Sequence, residues 1–215
     1  MIMRGRAFVY SFPVRCLSVG GVFMGIYLNP GNDGFWESVR SKIYVDKTGL
    51  ISCTNERINT EEKYICVSRP RRFGKSMALK MLAAYYSCGC NSRELFAGWK
   101  IERDPNFEGH LNQYNVIFLN MQQFLIGAKN CEVTEYLEQE VLEELLEEYG
   151  SYIKRPDIGL ADALRRIYAK TGKKFILLFD EWDCVMRERQ ESEELQKRYL
   201  DFLRNLLKDQ PYVAL

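Results

Sequence analysis

Gly74-Lys75-Ser76 opens a helical pattern, and Asp180-Glu181 closes an apolar run; these residues have the types and spacing to handle a phosphate chain. A bound triphosphate needs inward-facing backbone N–H groups, a cation near its β and γ phosphates, and a hydroxyl for Mg²⁺. Gly74 permits close backbone approach, Lys75 supplies the cation, and Ser76 supplies a Mg²⁺ ligand at a helix start. The loop reads "VSRPRRFGKS" over residues 67–76, so Arg69 stands where the pattern G-x-x-x-x-G-K-[ST] has its first glycine. Pro70 beside it makes the turn with a fixed φ instead. Arg69, Arg71 and Arg72, followed by Phe73, raise the local positive field. Two roles stay open for these arginines: contact with a phosphate, or holding the loop and nearby acids.

The second group lies in "FILLFDEWD", residues 175–183. Buried strand residues ending in two acids form the Walker B pattern. Asp180 would hold the Mg²⁺ shell and Glu181 would polarise the attacking water as general base. The plainer alternative is that both acids cap a strand end and pair with lysines. Asp183, just beyond, is a candidate to orient a water or an arginine.

These groups need a scaffold that brings them together. "KYICV", 63–67, reads as a short buried strand closing at Pro70. Residues 76–86 read as a helix with Met77, Leu79, Leu82, Ala83 and Tyr86 on its apolar face and Gly89 beyond its end. "NVIFLNM", 115–121, is a second strand run. Residues 134–150 form an amphipathic helix with Leu137, Val141, Leu145 and Tyr149 on one face, Thr134 as N-cap and Gly150 as C-cap. Its glutamate-rich side is most simply solvated; the alternative is an acidic docking surface. A helix over 158–170 stops at Gly172, the Walker B strand follows, and 192–209 reads as a helix starting at Ser192. "PYVAL", 211–215, opens a further buried strand. Residues 24–60 are loop-rich, with "KIYVDKTGLI" as a short strand and turn, and 98–113 form a polar connection. Strands alternating with helices imply a parallel sheet covered by helices. In such a sheet, neighbouring strand ends bring Lys75 and Asp180 to one crevice.

Composition sets the limits. The chain is 47% hydrophobic and 27% charged, with a net charge of +1. This fits a globular domain and gives no support for a nucleic-acid or membrane partner. Seven scattered cysteines imply free thiols in a reducing cytoplasm, and C-x-C at Cys88 and Cys90 lacks the second pair of a zinc site. The single histidine, His110, reads as a surface or turn residue. Residues 1–23 carry Arg4, Arg6 and Arg15 and no acid, and make a poor signal peptide. Val19–Phe23 can be encoded by a purine-rich stretch a few bases before the Met24 codon, as a ribosome-binding site would be. Met24 is therefore the expected start, with 1–23 a mis-called extension of the domain at 24–215.

"YVDKT" at 44–48, "VSRPRRFGKS" at 67–76 and "FDEWD" at 179–183 together resemble the bacterial AAA-ATPase-like family. The resemblance covers nearly everything from Met24 to Leu215, and the arginine at the first glycine position is part of it. It implies an α/β fold: a three-layer P-loop NTPase core with a mainly parallel sheet, C-terminally truncated. It also implies ATP and Mg²⁺ as ligands, with Arg71, Arg72, Phe73, Gly74, Lys75 and Ser76 around the nucleotide. Ser76 and Asp180 fall on Mg²⁺, and Glu181 acts as base. Family members commonly carry a C-terminal PD-(D/E)XK nuclease-like domain, and nucleic acid would be a partner only through that domain. "PYVAL" would lie between the phosphate-loop strand and the Walker B strand, with a sensor residue beyond it. A core lacking that strand's end is expected to expose sheet edges and to be marginally stable. Two other functions compete with an ATPase domain. One is a nucleotide-dependent switch without turnover. The other is a nucleic-acid module built on the arginine cluster, which the neutral charge disfavours.

Overall fold

Two apolar runs of six residues form the centre of the molecule. In a computed structural model, which describes residues 24–68, 73–128, 132–153, 155, 157–190 and 192–215, they are strands β1 (Asn115–Asn120) and β2 (Phe175–Asp180). They pair in parallel, with Asn115 opposite Phe175 and Asn120 opposite Asp180. Both are rich in Val, Ile, Leu and Phe, as strands covered on both faces must be. Val116, Ile176 and Leu178 point into one apolar cluster, and Ile117, Leu119, Phe175 and Leu177 into another. The fold is thus mixed α/β around a small parallel sheet.

Short pairings extend this sheet at both edges. Tyr27–Asn29 runs antiparallel to β1, with Phe118 N–H donating to Tyr27 and Asn29 N–H donating to Val116. On the far side, Val213 bridges Phe175 in parallel, and the Leu177 N–H reaches the Leu215 carbonyl at 3.0 Å. The strand-like behaviour expected of "PYVAL" is therefore present next to β2, with Tyr212, Val213 and Ala214 buried.

Helices cover the two faces. On the first lies α3 (Lys75–Tyr86), with α1 (Asp33–Val39), α2 (Gly49–Asn55) and the single turn α4 (Phe107–His110) packed around it. On the second lie α5 (Met121–Gly127), α6 (Val133–Tyr149), α7 (Leu160–Thr171), α8 (Cys184–Glu188) and α9 (Glu193–Leu207). In α6 the buried residues are Val133, Leu137, Val141, Leu145 and Tyr149, the stripe that a 3.6-residue repeat demands. Gly172 ends α7 at φ +69°, a left-handed conformation open to glycine at little cost. The Ser192 side chain caps α9 by accepting the Leu195 N–H. Among the described residues no helix is long and apolar enough to cross a membrane.

Several expectations need correction. "KYICV" is not a buried strand: Tyr64, Ile65, Cys66 and Val67 are exposed, and no backbone–backbone hydrogen bond joins 64–68 to another described residue. The outer side of 213–215 is met by residues 59–63 instead. Asn59 N–H donates to Ala214, and the Lys63 ammonium donates to Val213. β-branched content favours a strand only where a ladder partner is on hand. "KIYVDKTGLI" is an irregular segment leading into α2 rather than a strand and turn: the Asp46 carboxylate accepts the Thr48 N–H locally, and the Thr48 hydroxyl accepts the distant Ile101 N–H. Short helices occupy both the 24–60 stretch and the 98–113 connection. Helix α6 begins at Val133 after Glu132, so Thr134 is not its cap. The glutamate face of α6 is not simply solvated, since Glu144 accepts the N–H groups of Ile26, Tyr27 and Leu28 at 2.7, 3.0 and 2.7 Å. That one carboxylate docks the antiparallel edge segment. His110 is half-buried and hydrogen-bonded to the Tyr114 hydroxyl at 2.7 Å, and burial holds its pKa below the usual imidazole value.

Candidate functional site

Helix α3 places the residues of the expected phosphate loop. Its C-terminal end lies beside the start of β1, where Ser87 bridges Tyr114 and the Cys88 N–H donates to the Tyr114 carbonyl. From there it packs back over Val116, Ile176 and Leu178. Twelve helical residues span about 18 Å and a six-residue strand about 20 Å. A helix of that length running back along the sheet has its N-terminus on the side of the strands' C-terminal ends, where Asn120 and Asp180 lie. Lys75 and Ser76 form its first turn, and Gly74 precedes them at φ +74°. Gly74, the N-cap, makes no side-chain cap among the described residues, and the positive end of the helix dipole lies at this start. Ser76 and Phe73 are exposed, and Gly74 and Lys75 are half-buried. Arg71 and Arg72 lie outside the described residues.

Asp180 ends β2 and is 4% exposed. Its one hydrogen bond among the described residues comes from the adjacent Glu181 N–H, at 3.1 Å. Glu181 itself takes φ +52°, a left-handed conformation that is uncommon for a residue with a Cβ. Such strain concentrates at functional sites. The kink turns the Glu181 carboxylate to Arg187, which donates to it at 2.9 Å and to Asp183 at 2.8 Å. Asp183 thus orients an arginine. The Arg187 guanidinium stays above its ordinary pKa: partial burial works against this, and hydrogen bonds and charge from Glu181 and Asp183 outweigh it.

Three residues absent from the sequence-based site belong near it. Arg187 stands four positions after Asp183, a spacing that puts both on one helix face. Asn120 sits opposite Asp180 at the end of β1, where its side chain caps α5 by accepting the Gln122 and Gln123 N–H groups. Lys47 reaches the loop itself, donating to the Phe73 carbonyl at 2.7 Å. Only the Asp183–Arg187 spacing was visible in the sequence.

Among the described residues no group of three or more His, Cys, Asp or Glu side chains could cage a metal. The five described cysteines, Cys53, Cys66, Cys88, Cys90 and Cys184, are free thiols.

A family model described as "Predicted AAA-ATPase" matches residues 36–210, a span that includes "YVDKT", the phosphate loop and "FDEWD". Neither the curated proteins nor the solved structures give a significant match. With most of its length matched by that one model, the chain belongs to the AAA-ATPase-like family.

Proposed function

We propose that this chain is the ATP-binding P-loop domain of an ATPase, a three-layer core in which α3 and the strand ends hold ATP with Mg²⁺. The observation that carries the reading is Asp180: buried, at a strand's C-terminal end, with only a neighbouring N–H as partner among the described residues. Family membership supports an ATPase-like function at the coarse level. Gly74 to Ser76 offer backbone N–H groups and the Lys75 ammonium to the phosphates, with Phe73, Arg71 and Arg72 flanking. Ser76 and Asp180 are the residues that would hold Mg²⁺, which when bound neutralises charge on the β and γ phosphates. Glu181 is the base that takes a proton from the attacking water.

Mg²⁺·ATP should raise the melting temperature of the protein, by the equivalent of about 2.7 kcal/mol at one hundred times Kd. With EDTA the gain should shrink, and Asp180→Asn should lose the magnesium-dependent part while keeping a response to ATP alone. A gain indifferent to both EDTA and Asp180→Asn would remove Asp180 from the site.

The Arg187 ion pair favours a second reading, a nucleotide-dependent switch without turnover. With its carboxylate tied to Arg187, Glu181 is held away from a water until a conformational change releases it. Nothing comparable supports a nucleic-acid module.

A further inference from the structure

Tyr44–Thr48 holds none of the proposed nucleotide-site residues, yet Lys47 ties it to the residue before Gly74. Asp46 accepts the Thr48 N–H and hydroxyl at 2.8 and 2.7 Å and the Lys100 N–H at 3.3 Å. Burial would raise the Asp46 pKa, but these hydrogen bonds and the Lys100 charge hold it below the usual carboxylate range. The Thr48 hydroxyl, fully buried, accepts the Ile101 N–H at 3.2 Å. Tyr44 packs edge-on against Trp99, with ring centres 5.0 Å apart. After Lys47 the chain enters α2, where the Leu50 N–H donates to the Lys47 carbonyl. The main chain of Lys47 is therefore fixed on both sides.

From this base the Lys47 ammonium donates to the Phe73 carbonyl. Phe73 cannot be holding the loop by burial, because its residue is 62% exposed. The next residue, Gly74, is needed twice. Its φ of +74° strains any side chain, and a Cβ there would push against the end of the Lys47 side chain and displace its ammonium. The Phe73–Gly74 peptide is trans, so its C=O and N–H point to opposite sides of the chain. With the C=O drawn to Lys47, the Gly74 N–H must face away from it.

We infer that Lys47 is a positioning residue for the phosphate loop, holding the Phe73–Gly74 peptide so that the Gly74 N–H is presented to an anionic phosphate. This rests on the phosphate-site reading of Gly74-Lys75-Ser76. The "YVDKT" stretch then serves as a rigid bracket with one cationic arm. Lys47 is not a catalytic residue, because it acts through the loop's backbone.

The test is a fluorescence titration of the full chain with an N-methylanthraniloyl derivative of ATP and Mg²⁺, alongside thermal melts without nucleotide. Four proteins are compared: wild type, Lys47→Met, Lys47→Arg and Lys75→Ala. Losing one charge-assisted hydrogen bond corresponds to about tenfold or more in affinity. Lys47→Met should weaken binding by that amount while melting with the wild type, and Lys47→Arg should recover most of the loss. A purely structural role would lower the melting temperature and would not be rescued by arginine. Wild-type affinity in Lys47→Met, with Lys75→Ala defective, overturns the positioning role and leaves the phosphate site standing. An arginine variant no better than methionine overturns it as well. If the wild type and Lys75→Ala titrate alike, the phosphate-site reading has failed, and the inference falls with it.

Discussion

Lys75→Ala should abolish measurable nucleotide binding while leaving the fold intact. The side chain is half-buried at the first turn of α3, and the helix is held to the sheet further along, by Met81, Leu82, Ala84 and Tyr85. Alanine is the best helix former, so the substitution costs the helix nothing in propensity. On the proposed reading, what it removes is the cation that would meet the β and γ phosphates. A lost charge-assisted bond to a phosphate corresponds to about 3 kcal/mol, or roughly 100-fold in affinity. An equilibrium titration with labelled ATP checks this, and circular dichroism melts confirm the fold. Undiminished affinity would mean that Gly74-Lys75-Ser76 is not the phosphate site.

Glu181→Gln should separate binding from turnover. Glutamine keeps the size of the side chain and its acceptor oxygen but cannot take a proton. General-base catalysis contributes typically 10²–10⁴-fold, so hydrolysis should fall by about that factor while ATP affinity stays near wild type. Arg187 makes the experiment more informative. It donates to the Glu181 carboxylate at 2.9 Å, so in this conformation the proposed base is occupied. If the domain is a working ATPase whose arginine restrains the glutamate, Arg187→Ala should speed phosphate release. If it is a switch, wild type and Arg187→Ala should both bind without turnover. Normal hydrolysis by Glu181→Gln would remove Glu181 from the role of base. A steady-state phosphate-release assay on the three proteins separates these outcomes.

Parts of this structure can be read directly from residue order. The α6 stripe of Leu137, Val141, Leu145 and Tyr149 follows from helical periodicity, and all four are buried. "FILLFD" is apolar at every position before its acid and forms a strand covered on both faces. Gly172 and Ser192 announce a helix end and a helix start, and each does what its chemistry favours. The failures share a cause. Whether "KYICV" becomes a strand depends on a ladder partner elsewhere in the fold, of which the segment's own composition carries no record; its Tyr64 hydroxyl instead donates to the Leu207 carbonyl, 143 residues on. Glu144 looks like any other surface glutamate of α6 until the Ile26–Leu28 backbone is folded against it. Lys47 lies 26 residues before Phe73, so their contact exists only once α2 and α3 are packed. For the site, the motif residues at the start of α3 and the end of β2 were legible because each is fixed by local geometry. The residues that restrain them, Lys47 and Arg187, act across the fold or around a turn.

The most direct test of the phosphate site is a crystal structure of the protein with a non-hydrolysable ATP analogue and Mg²⁺. The β and γ phosphates should lie against the first turn of α3, in contact with the N–H groups of Gly74 to Ser76 and the Lys75 ammonium. Mg²⁺ should sit between these phosphates, Ser76 and Asp180. An analogue bound elsewhere would contradict the site; one such place is the hollow of about 310 Å³ at the opposite end of the sheet, beside Asn59, Lys173 and Lys174.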